Sequence, residues 1–173
     1  MAVETVGRSG TGTPVLTDDT LVAFLRSVEL AAVALYAQAA VVVSSPAAVA
    51  ALDSFSTHHQ AHARAFGQLA GPAALKPVQT AVLRALAPAT LLVSERDGLS
   101  FLHSLETRLA ATQHYLLGRF TILPTISLAA STLPVECQHA VVLGTLLSLP
   151  LAQLVPTVER DDGHLVPEQY LLP

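Results

Sequence analysis

The sequence predicts an all-α fold, with four long helices in a bundle and a long crossover between the second and the third. Three observations lead there. Apolar residues recur at helical spacing through four segments, and Pro, Gly and Ser punctuate the chain between them. Each segment also carries an ionisable residue on its otherwise apolar face, the most specific being Glu136-x-x-His139 inside LPVECQHAVVL.

Residues 1 to 16 are rich in Gly, Thr and Ser and read as a flexible arm ahead of a bundle over residues 17 to 149. Thr17 supplies a cap, and Asp18 and Asp19 suit the positive end of a helix dipole. The first helix is therefore expected from Asp18 to Val43, stopped by Ser44-Ser45-Pro46. A second helix follows from Ala47 to Ala70 and ends at Gly71-Pro72; the short link makes the two antiparallel neighbours. Residues 71 to 93, with Pro72, Pro77 and Pro88 around LKPVQTAVLRALA, read as a crossover carrying one short helix. Ser94 with Asp97 resembles a capping box and opens a third helix expected to reach Ile122.

The fourth helix has two candidate starts. Pro134 suits a first helical position, or it bends a helix that begins near Thr125. Glu29 stands about 15 residues before the first turn and His59 about 13 after it, so both lie roughly 20 Å from that end. Glu106 and Glu136 are level in the same way only if the last helix spans 125 to 148, which is the expectation adopted. Residues 150 to 173 carry four prolines among apolar residues and read as an extended tail lying on the bundle or on a neighbour.

Composition narrows the function. The chain has 173 residues and a formal net charge of -4, with Lys76 its single lysine, which argues against nucleic-acid binding. Charged residues are 13% against 51% hydrophobic, where about 25% charged is usual, so apolar surface is expected to meet another chain, as a homodimer or larger assembly or through a protein partner on an apolar helix face. Cys137 stands alone, which excludes an internal disulfide. The opening MAVETVGRSGTGTP lacks the marks of an export signal, and the apolar stretch from Val28 to Val43 is interrupted by Glu29 and Gln38. A soluble, cytoplasmic protein without a transmembrane segment is expected, or an exported one if an upstream segment precedes this chain. No glycine-rich phosphate loop or nucleophile elbow occurs.

The polar insertions point inward. At spacings of three, four and seven, Glu29 shares its face with Val22, Leu25, Ala32, Val33 and Tyr36, and Glu106 with Leu99, Leu102, His103, Leu109 and Ala110. Glu136 shares its face with Thr132, Leu133, His139, Ala140 and Leu143. An isolated buried carboxylate is costly and is neutralised by a proton, a partner or a metal. Any one Glu or His is more often a solvated or hydrogen-bonded residue than a ligand; the pattern over four helices favours a metal site. Tyr36 and Gln113 are candidate hydrogen-bond partners of the carboxylates, and His103 is a further candidate ligand.

This constellation resembles the ferritin-like superfamily, which includes bacterioferritin and rubrerythrin, over residues 18 to 148. The resemblance implies a ferritin-like four-helix bundle in which one Glu from each of two helices and a Glu-x-x-His from each of the other two converge. Glu29 and Glu106 match the single carboxylates, Glu136 with His139 matches one motif, and His62 matches the histidine of the other. His59 stands where that second motif has a carboxylate bridging two metals, which puts two-metal oxygen chemistry in doubt; alternatively His58 and His62 are the coordinating pair. The implied metal is iron, with zinc and manganese as alternatives. Metal binding with oxidase or metal-handling activity, through one or two ions, is one implied function. A non-enzymatic interaction or assembly module with a degenerate or structural zinc site is the other. Haem held by paired methionines is excluded, because Met1 is the only methionine.

Overall fold

The computed structural model describes residues 16–72, 80–157 and 163–170, and among them there are helices and turns but no strand. Four long helices dominate: α1 (Asp18–Ala40), α2 (Pro46–Ala70), α4 (Glu95–Leu117) and α5 (Leu123–Leu146). The short α3 (Thr80–Leu86) lies in the crossover and α6 (Leu151–Leu154) follows α5. α1 packs along α2 and α4 along α5, and the two hairpins meet through α1 against α4 and α2 against α5. The all-helical expectation holds. The arm expected over 1 to 16 lies outside the described residues apart from Leu16, as do parts of the crossover and tail.

α1 starts where expected, because Thr17 Oγ1 accepts from the Thr20 amide at 3.3 Å while Thr20 Oγ1 accepts from the Thr17 amide at 2.9 Å. Asp18 does more than complement the dipole. Its carboxylate is buried and accepts from the amides of Thr121 (3.1 Å) and Ile122 (3.0 Å) and from the hydroxyls of Thr121 (2.7 Å) and Thr125 (2.6 Å). α5 has no side-chain cap of its own at Ile122, so Asp18 supplies it from another helix.

That contact corrects the expected end of the third long helix. α4 stops at Leu117 rather than Ile122, since Gly118 caps it and the amides of residues 121 and 122 are held by Asp18. α1 likewise ends at Ala40 rather than Val43, because the Ser44 and Ser45 amides turn to Glu95 Oε2 at 2.8 and 2.9 Å. At the start of α4, Ser94 Oγ accepts from the Asp97 amide at 3.2 Å and Asp97 Oδ2 accepts from the Val93 amide at 3.3 Å. α5 runs unbroken through Pro134, whose side faces solvent, so the early start is the right one and Glu136 sits mid-helix.

The tail is not simply extended. Beside α6 it contains a 3-10 turn at Pro167–Gln169, and residues 163 to 170 lie back on the bundle. Tyr170 stacks on Phe24, His164 on Tyr115, and the Leu165 amide donates to Thr112 Oγ1 at 3.0 Å.

α1 and α5 are both long and apolar enough to cross a membrane by length and composition alone. In α1 61% of the apolar window is buried inside the protein, which a core helix explains; in α5 the share is 33%, so much of its outer face is apolar surface. Glu29 on α1 and Glu136 with His139 on α5 point into the bundle, where neighbouring helices satisfy them.

Candidate metal centre

Mid-height in the bundle the apolar core gives way to a polar cluster, to which α1 and α4 contribute one residue each and α2 and α5 two each. Glu29, His59, Glu106 and Glu136 are fully buried and His139 is 1% exposed, so these side chains have left water entirely. They are brought together as two groups: Glu29, His59, His62 and Glu136, and His59, Glu106, Glu136 and His139. In each group one ligating atom per residue lies within 4.8 Å of every other, which is the convergence a metal ion requires.

His59 stands at the middle. It donates from Nδ1 to Glu29 Oε2 at 2.8 Å and from Nε2 to Glu106 Oε1 at 3.0 Å, so both nitrogens carry protons in this arrangement. Burial works against that charge, but the Glu106 and Glu136 carboxylates outweigh it and hold the imidazole well above its ordinary value. His62 donates to Glu136 Oε1 at 3.0 Å; burial again opposes the charge, and Glu136 and Glu29 push it up to about 9. His139 is raised in the same sense, its burial outweighed by Glu106 and Glu136.

For Glu106 burial alone would raise the carboxyl, yet the His59 charge beside it holds it well below the usual carboxylate range.

Around the cluster runs a frame of neutral donors. The Tyr36 hydroxyl donates to Glu106 Oε1, and burial, with the Glu106 charge and this contact, drives the phenol well above its ordinary value. Gln113 Nε2 donates to Glu29 Oε1 at 3.0 Å and reaches Glu136 Oε1 at 3.5 Å, while Thr132 Oγ1 donates to Gln113 Oε1 at 2.6 Å and so fixes which way the amide points. Tyr36 and Gln113 take the roles their spacing suggested. Thr132 was visible on the Glu136 face, but its role depends on a residue of another helix. Phe55 stacks on His139 with ring centroids 4.0 Å apart and walls off that side.

Of His58 and His59, it is His59 that the fold turns into the cluster. His59 is inside the cluster; His58 is exposed, and its Nδ1 lies 2.9 Å from His139 Nε2 on the far side from the carboxylates. Every residue of the expected ligand set is therefore found at the centre. His103 is not: it lies in neither group and packs beside Gly144. Cys137 also stands outside both groups.

The donor set also passes a stricter test. Glu106 Oε2, Glu136 Oε2 and His139 Nδ1 are buried without a hydrogen-bond partner, and they face one another, with His139 Nδ1 3.4 Å from Glu106 Oε2 and 3.6 Å from Glu136 Oε2. Three unsatisfied ligating atoms aimed at one point are what a cation would satisfy. No family model, curated relative or solved structure matches the chain, so the functional reading rests on this geometry.

Proposed function

We propose that this chain is a ferritin-like metalloprotein that holds iron or another divalent metal among its four long helices, with metal handling or metal-dependent oxidase chemistry as its activity. The observation that carries the reading is the trio of buried atoms without a hydrogen bond, Glu106 Oε2, Glu136 Oε2 and His139 Nδ1, converging beside His59. Leaving such groups unpaired costs about 1–3 kcal/mol each, more when charged, so their convergence calls for a ligand. Three carboxylates with imidazoles suit iron, manganese and zinc. Bound iron would supply one-electron redox chemistry; the protein's part is to fix the carboxylates through Tyr36 and Gln113 and to keep bulk water out, since only the edge of His62, 14% exposed, reaches the surface from the six ligands' outer side.

Metal analysis of protein prepared without a histidine tag tests this. One or two divalent ions per chain are expected in the parent and none in the Glu136→Ala, His139→Ala double variant. A parent free of metal after exposure to ferrous, zinc and manganese ions would overturn the reading.

A second reading is favoured by a different observation. Three carboxylates face three imidazoles with raised proton affinity, so protons alone neutralise the core, and the bundle then serves as an interaction or assembly module. In either reading α1 and α5 are core helices of a soluble, cytoplasmic assembly. The outer face of α5 supports self-association: its one acidic residue and its one histidine, Glu136 and His139, are buried and it carries no Asp, Lys or Arg, leaving Leu123, Ala130, Val142 and their uncharged neighbours to solvent.

A further inference from the structure

We propose that His59 is a bridging ligand, its Nδ1 serving one divalent ion and its Nε2 a second, with Glu136 as the other shared ligand; this rests on the metal-binding reading above. The two convergent groups share His59 and Glu136 and nothing else. Glu29 and His62 belong to one group, Glu106 and His139 to the other. The ring is oriented accordingly. Nδ1 faces Glu29 Oε2 at 2.8 Å and Nε2 faces Glu106 Oε1 at 3.0 Å, on opposite edges of a fully buried imidazole. The lone pairs of those nitrogens diverge, so one ion cannot use both, and a ring that met one ion only would present its other nitrogen to the second group's carboxylate.

This alters what the loss of a carboxylate at position 59 means. A histidine that bonds through one nitrogen removes a bridge, whereas a histidine that bonds through both preserves it. Bridging requires that both N–H protons of the ring leave to solvent, one as each metal–nitrogen bond forms, giving an imidazolate with one negative charge. Glu29, Glu106, Glu136 and that imidazolate then carry four negative charges, the charge of two divalent ions, while His62 and His139 bind as neutral ligands. Each ion meets one terminal Glu, one terminal His and the two shared ligands. Tyr36, its ring centroid 5.1 Å from that of His59, packs against the bridge and leaves the ring little room to rotate.

Crystals of the full chain grown with Zn²⁺, with the ions located by anomalous scattering, test the proposal together with two variants. The parent is expected to hold two ions roughly 6 Å apart, the span of an imidazole with a metal–nitrogen bond of about 2 Å at each nitrogen. His59→Glu is expected to keep two ions at the shorter separation of about 3.5–4 Å usual for carboxylate-bridged pairs. His59→Gln, which cannot carry the bridging charge, is expected to hold one ion at most. A parent with a single ion, or with two ions about 3.5–4 Å apart, overturns the bridge and leaves the metal-binding reading standing, as does His59→Gln with two ions. A parent that binds no Zn²⁺ overturns the bridge, and one that also binds neither ferrous nor manganese ions overturns both.

Discussion

His58 Nδ1 lies 2.9 Å from His139 Nε2, so an exposed imidazole fixes which nitrogen of its buried neighbour faces the carboxylates. Partial desolvation of the His58 ring at this contact and the positive charges of His139, His62 and His59 around it all lower its own proton affinity, which suits it to accept the hydrogen bond rather than compete for charge. Such outer partners of ligating histidines typically contribute about 10–100-fold to metal affinity. His58→Ala is expected to weaken binding by about that factor while leaving the far-ultraviolet circular dichroism unchanged. Isothermal titration with Zn²⁺ reads the effect; an unchanged affinity would separate His58 from the site.

Asp18→Ala is expected to destabilise the fold by about 2 kcal/mol, since α5 loses the charged acceptor that caps it. Burial alone would raise the Asp18 carboxyl, but hydrogen bonds from Thr125, Thr121 and the Ile122 amide outweigh it and lower it from 3.8 to about 2. Its contribution is present above the unfolded value and is lost as pH falls through about 2. Urea unfolding of parent and variant should therefore differ at pH 6, draw together as pH falls below 3.8 and converge below about pH 2. A constant gap would contradict this assignment.

The pH dependence of the centre runs the other way. His62, raised from 6.5 to about 9, contributes stability that is fully present below 6.5 and lost as pH rises through about 9. In chelator-treated protein the stability advantage of the parent over His62→Gln should shrink across that window. Metal affinity should rise over the same window, because a ligating imidazole must give up its proton. Parallel unfolding midpoints of the two proteins from pH 6 to 10 would show that His62 is not held in this way.

How far these contacts could be read in advance differs from residue to residue. Glu29, Glu106, Glu136 and His139 were legible because a carboxylate amid apolar neighbours at spacings of three, four and seven has no escape from the core. His58 and His59 are adjacent, about 100° apart on the helix, and either could face inward until the helix is docked. Asp18 looked like an ordinary first-turn acid; its partners lie more than a hundred residues away, at the start of α5, and no local pattern announces them. The early stop of α4 was missed for the same reason, since the residues that leave the helix are those Asp18 holds.

The surface of α5 gives a prediction about assembly. With no exposed charge on that helix, Val142→Arg on its outer face should convert an oligomer to monomer with little loss of stability, Val142 being 40% exposed in the single chain. Light scattering at micromolar concentration checks it. A parent that is already monomeric would remove α5 as an interface.

His59→Glu should increase ferrous-ion oxidation relative to the parent, because it restores a bridging carboxylate of the ferritin-like pattern. Stopped-flow absorbance of the parent and variant under air measures this. An unchanged rate would show that position 59 does not limit the chemistry, and a slower one that His59 serves it better than a carboxylate.

Equilibrium dialysis of chelator-stripped, tag-free protein against ferrous ion under anaerobic conditions tests the central claim most directly. The account predicts saturable binding of one or two ions per chain, abolished by Glu136→Ala with His139→Ala although the variant keeps its helical content. Binding that never saturates, or that the double variant retains in full, would contradict it.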